Sequence, residues 1–420
     1  MKITVLATGS RGDIQPFLAL AYGLLRAGHE VTFVSNAIFA PLVRPYGLNF
    51  RSIQWDPVES LRTQPMLASW KWYQFLSEAR KAQQVTHQVY EQAQRESWLA
   101  CQDCETLVYS ILSPWGYSIA EKLGVPALPG ALHPLTPTRD FPTQLLPYNL
   151  GGTLNLFSHW LAEQALWKIM HQPTNQFRVQ ALNLPPIRST NLLALLRKNK
   201  TPLLYSLSPT ITPRPRDWPD QAHMQGYWFL PVPPGWQPSP EVEAFIQQGQ
   251  PPFYIGFGSM VYRNSESMGA MVIEALRLSG QRGILARGWG GLQADPGTRE
   301  NLFFVDDIPH DWLFPQVKAV VHHGGAGTTA AILRAGVPAL TIPYMQDQPY
   351  WARRLEQLGV SPNPLPYKKL DVDILAQRLK LFSEGSAFQT RARQISTQIR
   401  SEQGVEWAVS VIESYLQKQG

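Results

Sequence analysis

Apolar residues in this chain fall into short solid runs separated by amphipathic stretches. Ile3-Thr4-Val5-Leu6-Ala7 is a β-rich run that stops at Thr8-Gly9-Ser10-Arg11-Gly12-Asp13. An amphipathic run from Ile14 to Arg26 follows, then Ala27-Gly28-His29 and a second apolar run, Val31 to Val34. This order predicts a strand, a Gly loop, a helix, a Gly stop and a strand, which is one βαβ unit. The second half repeats the plan. Phe253 to Phe257 runs into Gly258-Ser259-Met260, and a helix is predicted over 265–278, with Gly280 and a strand at 283–286 behind it. Further apolar runs at 106–110, 301–305, 318–321 and 338–342 alternate with helical stretches. The class is therefore α/β, with parallel, doubly wound sheets.

A chain of 420 residues exceeds what one core usually serves, and a Pro-rich stretch marks the division. Pro fixes φ and donates to no ladder, so the segment reads as an extended connector. The expected domains are 1–212 and 241–420, with 213–240 as linker. Glu402 to Leu416 carries apolar residues at Val405, Val409, Ile412 and Leu416. It predicts one amphipathic helix over 402–417, expected to pack back on the first domain. Leu154, Leu156, Phe157, Trp160, Leu161, Leu166 and Trp167 form an apolar helix face, read as core, with the border of a pocket as the alternative.

Composition excludes several classes. Cys101 and Cys104 are the only cysteines, too few for a disulfide scaffold, and no second ligand pair lies at zinc-site spacing. No run of about 18 apolar residues predicts a membrane span. The apolar run at the N-terminus is too short for a signal peptide, so the expected location is cytoplasmic. Charge is uneven: residues 1–216 hold 20 Lys/Arg against 12 Asp/Glu, and the rest hold 17 against 19. A net +8 on the first half against −2 on the second suggests contact with something anionic. Residues 65–75 are rich in aromatics around Lys71, with Arg80-Lys81 beyond, which suits an anionic membrane face, with acceptor-pocket lining or plain core as the alternative.

The most specific motif is His322-His323-Gly324-Gly325-Ala326-Gly327-Thr328-Thr329, between a predicted strand and a helix that stops near Gly336. Small residues at a helix N-terminus let backbone N–H groups approach a phosphate, and the helix dipole favours the anion. Thr328 and Thr329 add hydroxyls, and His322 a ring N–H or a full charge. The next strand delivers Asp347-Gln348, a carboxylate beside an amide, suited to the vicinal hydroxyls of a hexose.

The stretch from His322 to Trp351 resembles the donor-binding signature of nucleotide-sugar-dependent glycosyltransferases of the GT-B fold, in particular the sterol glucosyltransferase and glycopeptide-antibiotic branch. The segment from Gly9 to Val31, the run His133 to Pro142, and Phe257-Gly258-Ser259-Met260 resemble the same branch. The resemblance implies two Rossmann-like domains facing a cleft, with acceptor bound by the first and UDP-sugar by the second. It places Gly258 and Ser259 near the donor diphosphate, and Trp289, Asp307 and Ile308 around the base and ribose. His322, Gly324, Gly325, Ala326, Gly327 and Thr328 would hold the phosphates, and Asp347 and Gln348 the sugar. Ser10 and Gly12 of the first loop are also assigned to the donor.

Asp13 is the expected general base, and the resemblance agrees. An unperturbed Asp, with a pKa of about 3.9, is a weak base for an alcohol, so the proton must move late. Capping of the helix at Ile14 is the alternative role for Asp13. His133, in a Pro-rich loop after a strand, is the rival base. Asp371-Val372-Asp373 has a metal-binding spelling but reads as a cap for the helix at Ile374, so neither metal nor cofactor is expected. The expected reaction is inverting transfer of a hexose, first of all glucose, to a lipophilic hydroxyl such as a sterol or hopanoid-like alcohol. Carotenoid or polyketide aglycones, and a non-catalytic partner protein, are the alternatives. A hydride-transfer enzyme is excluded because the first loop offers GxxG and not GxGxxG. No nucleic-acid-binding motif accompanies the basic half.

Overall fold

The computed structural model describes residues 1–56, 90–146, 148–188, 190–258, 265–287, 301–344, 347–382 and 386–418. The chain divides into two units, Met1–Leu230 with Glu402–Gly420, and Pro231–Ser401.

The first unit is built on seven described strands: β1 Lys2–Leu6, β2 Glu30–Asn36, β3 Asn49–Ile53, β4 Thr106–Ser110, β5 Ala127–Ala131, β6 Leu203–Tyr205 and β7 Ala222–Met224. They pair in parallel in the order β3-β2-β1-β4-β5-β6-β7. Central strands are covered on both faces, so Val5, Leu6, Leu107, Val108 and Tyr109 are all buried, and their sequences are continuous apolar runs without alternation. The chain winds outward from β1 to β3, then returns to lay β4 against the other side of β1. That reversal is a topological switch point, where open α/β sheets hold ligands beyond their carboxyl ends.

The second unit repeats the design with β8 Phe253–Gly256, β9 Gly283–Ala286, β10 Leu302–Val305, β11 Ala319–His322 and β12 Ala339–Thr341. All described pairs are parallel, in the order β10-β9-β8-β11-β12. Its switch point lies between β8 and β11. The core joins Phe253, Ile255, Leu276, Val321 and Leu340 to Leu375 and Leu379 of the helix Val372–Leu379 and to Phe382 just beyond it.

Two expectations need adjustment, and one is met. Residues 213–240 are not connector throughout: β7 lies inside them, and the first unit continues to Leu230. Proline density hid this short edge strand, whose three residues Ala222-His223-Met224 contain no proline. Asp371 does cap its helix, Val372–Leu379, accepting from the Ile374 N–H at 2.8 Å. The helix Gly152–Gln176 inverts the expected core assignment. Its buried positions include Asn155, Ser158, His159 and Glu163, whereas Leu154, Phe157, Trp160 and Leu161 are exposed.

The last helix, Gly404–Gln417, belongs to the first unit and lies along the helix Arg11–Arg26, called α1. A Cβ built on Gly23 of α1 would overlap Val405 Cγ1, and His29 Nε2 meets Glu413 at 3.0 Å. Valine gains only a few tenths of a kcal/mol over glycine in a helix, whereas overpacking a filled contact costs about 1–3 kcal/mol. Gly23→Val should therefore lower unfolding free energy by about 1–2 kcal/mol in urea titration. An unchanged midpoint would show that the helix contact does not depend on Gly23.

Candidate functional site

In the first unit the chain leaves β1 at the switch point and enters a loop fixed from both sides. Thr8 N–H donates to Ser113 Oγ at 3.2 Å, and the two hydroxyls lie 2.8 Å apart. Gly9 N–H donates to Asn36 Oδ1 at 3.1 Å, at the end of β2. The helix begins at Arg11, three residues before the amphipathic pattern shows it, so Asp13 lies in its first turn and does not precede it. Asp13 Oδ2 accepts from Ser10 N–H at 2.8 Å and Ser10 Oγ–H at 2.7 Å. A capping contact of this kind was legible as Ser10-x-x-Asp13, and it satisfies a backbone donor left over at the helix start. Gly9 has φ +131°, and a Cβ there would come within 2.7 Å of Asp13 Oδ2. The carboxylate is thus seated on a glycine and gripped by Ser10, whose hydroxyl is engaged internally; Gly12 sits beside it in the same turn. His133 follows β5, two strand spacings from β1, about 10 Å along the sheet edge.

In the second unit the predicted donor residues spread along the carboxyl edge of one sheet. Asp307 and Ile308 follow β10, Gly258 follows β8, His322 ends β11, and Asp347-Gln348 lie beyond β12. From β10 to β12 the row spans four strand spacings, about 19 Å, room for a ligand of three parts in line. Asp307 is exposed, whereas Ile308 is buried. Ser259 and Trp289, and the aromatic segment 65–75, lie outside the described residues.

His322 is fully buried, paired between Gly256 of β8 and Thr341 of β12. Burial, reinforced by the neighbouring His323 and His310, pushes its pKa well below the ordinary 6.5. The ring is therefore neutral, which decides between the two possibilities left by the sequence: it offers an N–H and not a charge. Gly324 N–H donates to Nδ1 at 3.2 Å, so the proton sits on Nε2. Among the described residues Nε2 has no hydrogen-bond partner, nor do the buried hydroxyls of Thr329 and Thr341. Buried polar atoms left unpaired cost about 1–3 kcal/mol each and concentrate where a ligand completes them.

Gly325 caps the helix Ala326–Ala335, which ends at Gly336 in the left-handed region as the sequence predicts. Its first turn holds no acidic side chain, in contrast to α1, so its N-terminal N–H groups and dipole are not neutralised from within. Ala326, Gly327 and Thr328 form that turn, and a Cβ on Gly327 would meet nothing within 4 Å. Gly324 has φ +88°, and a Cβ there would lie 2.9 Å from the Gln348 carbonyl. Asp347 and Gln348 are bonded locally: Gln348 Oε1 accepts from Tyr344 N–H at 2.8 Å, and Asp347 Oδ2 from Trp351 Nε1–H at 2.9 Å.

Sequence reasoning passed over His323. Its ring lies where a Cβ on Gly258 would come within 2.7 Å and a Cβ on Gly325 would overlap it. One imidazole thus joins the loop after β8 to the loop after β11. The signal was the doubled His before two glycines. Burial pushes the His323 pKa down to about 4, partly opposed by Asp347.

Because both rings have folded pKa values below the unfolded 6.5, the unfolded chain takes up protons first as pH falls. The stability they contribute is complete above pH 6.5 and is lost as pH falls toward 4 and below. Denaturant titrations at pH 7.5 and 5 should show the second unit weaker at pH 5. Ring C–H resonances of His322 and His323 that titrate near 6.5 in NMR would contradict the buried, neutral assignment.

Residues 3–142 match the glycosyltransferase family 28 N-terminal domain, and residues 294–410 match the erythromycin biosynthesis protein CIII-like C-terminal domain. The sterol 3-beta-glucosyltransferase of Emericella nidulans is 36% identical over 425 residues, covering 98% of this chain and 30% of that protein. That of Pichia angusta is 36% identical over 427 residues, covering 98% of this chain and 33% of that one. The chain thus spans about a third of the length of these curated relatives. The kitacinnamycin glycotransferase shares the fold, with TM-score 0.69, 17% identity and 98% of both chains covered. So does the glycosyltransferase VinC in complex with dTDP, at TM-score 0.68, 18% identity and 100% coverage of both. With two parallel-sheet α/β units, a match to the family 28 N-terminal domain in the first half and a match to the CIII-like C-terminal domain in the second, the chain has the GT-B glycosyltransferase fold.

Proposed function

We propose that this chain transfers a hexose, first of all glucose, from a UDP-sugar to the hydroxyl of a lipophilic alcohol such as a sterol or hopanoid-like molecule. The observation that carries the donor half is the helix Ala326–Ala335, whose unneutralised N-terminus follows directly on the buried N–H donor of His322. The acceptor half rests on the sterol 3-beta-glucosyltransferases, similar over 98% of the chain. The match of residues 294–410 to the erythromycin biosynthesis protein CIII-like C-terminal domain makes a polyketide-like aglycone the second reading.

In this reading the diphosphate is met by helix N–H groups and neutral hydrogen-bond donors, with no metal required. Such preorganised dipoles act most strongly where charge grows on the leaving group. Asp347 and Gln348 take sugar hydroxyls on the far side of the phosphates. The acceptor oxygen attacks the anomeric carbon opposite the departing diphosphate, so configuration inverts. As the new C–O bond forms and the C–O bond to phosphate breaks, the acceptor proton passes to the carboxylate of Asp13. The cytoplasm is the proposed site of action, where sugar nucleotides are available and the thiols of Cys101 and Cys104 stay reduced.

UDP release from UDP-glucose in the presence of a sterol tests the assignment. Asp13→Asn should lower kcat by about 10²- to 10⁴-fold while leaving sugar-nucleotide affinity in calorimetry unchanged. His133→Ala should cost less than about tenfold. A pure capping role predicts instead a lower melting temperature with turnover intact, and this result would remove Asp13 as the base. Failure of every uridine or thymidine sugar nucleotide to bind would remove the transferase reading.

A further inference from the structure

The helix Gly152–Gln176 turns its polar side chains inward and its apolar ones outward. Inward, Asn155 accepts from Leu150 N–H at 3.0 Å and donates to the Arg139 carbonyl at 2.8 Å. Ser158 accepts from Thr143 N–H at 3.0 Å, His159 Nε2 meets the Phe141 carbonyl at 3.0 Å, and Glu163 holds Arg197 through two bonds of 2.6 and 2.8 Å. The first four bonds fasten Arg139, Phe141, Thr143 and Leu150 of the preceding loop to the helix, and the Glu163 pair ties it to the helix Leu192–Lys198, so the orientation is fixed by polar chemistry. Outward, Leu154, Phe157, Trp160 and Leu161, and Leu145, Tyr148 and Leu150 of the preceding loop, are each between 43% and 63% exposed. Phe157 and Trp160 stack on each other at 5.6 Å. Large apolar side chains exposed together along one helix mark an interaction site.

We infer that this face is a docking surface for an anionic lipid bilayer, inserting shallowly at headgroup depth. Trp160 and Tyr148 are the amphipathic rings that favour that depth. Two cations border the patch: the Arg139 side chain lies against Gly152 at the helix start, and exposed Lys168 lies two turns beyond Leu161 on the same face. Asp140 is the exposed acid of the same loop, and Glu163, the one acid of the helix, is neutralised by Arg197. The half of the chain bearing the patch carries 20 Lys/Arg against 12 Asp/Glu. No described helix is long and apolar enough to cross a membrane, so the contact is interfacial. Choosing a bilayer over a protein partner rests on the lipophilic acceptor proposed above, since an alcohol of that kind resides in the membrane.

Co-sedimentation of the full chain with extruded vesicles of phosphatidylcholine and phosphatidylglycerol, containing no sterol or sugar nucleotide, tests the inference. The chain should bind these vesicles and bind pure phosphatidylcholine several-fold less. Phe157→Ser combined with Trp160→Ser should reduce binding at least about tenfold, because both side chains lose insertable area. Its melting temperature should stay within about 2 °C of the parent, as these side chains are half-exposed. Equal vesicle binding by parent and variant, or none by the parent, overturns the inference. So does a variant that keeps full vesicle binding but loses turnover of a short, water-soluble alcohol, which would make the face an acceptor wall. A chain that binds vesicles but transfers no sugar leaves the docking surface standing and removes only the transferase reading.

Discussion

The geometry of the second unit depends on one imidazole held where no Cβ fits. His323 fills the space above Gly258 and Gly325, and so couples the ends of the two strands that flank the switch point. A parallel sheet sets these strands only about 5 Å apart, and anything larger than hydrogen on either glycine would force the loops to separate. With the loops held, Gly324 N–H can reach His322 Nδ1, and the helix Ala326–Ala335 starts directly at the sheet edge. The neutral tautomer of His322 and the position of the helix N-terminus both follow from that wedge.

The two units solve the same problem with opposite charge. Each sets a helix N-terminus at its switch point. In the first, Asp13 fills the turn and accepts from Ser10, so the positive end of the helix is already answered by a carboxylate. In the second, glycine, alanine and threonine leave it open. One fold therefore presents a fixed anion at the switch point of the first unit and an open helix N-terminus at that of the second.

Much of this was legible in the sequence because buried parallel strands must be apolar on both faces. The runs at 106–110 and 283–286 match β4 and β9 residue for residue. Helix starts were less visible: Arg11 and Gly12 carry no apolar periodicity, and only the spacing of Ser10 and Asp13 announces the turn. Strand β7 is three residues long and surrounded by proline, which leaves almost no periodic signal. The helix Gly152–Gln176 misled for a different reason. Patterning assumes that apolar side chains seek the core, whereas here the core side is taken by hydrogen bonds to a loop. The doubled His marked His323 as a position, but its role could not be read from the sequence, because it fills a gap between segments 65 residues apart.

The helix Gly404–Gln417 closes against α1, nearly four hundred positions earlier in the chain. A ribosome therefore releases the entire second unit before the first unit receives its final element. During synthesis the groove beside Gly23 and His29 stays open for as long as roughly 170 further residues take to emerge, on the order of ten to thirty seconds. The nascent first half must tolerate that interval with an unfilled apolar seam, and a chain cut short after Ser401 would carry the seam permanently.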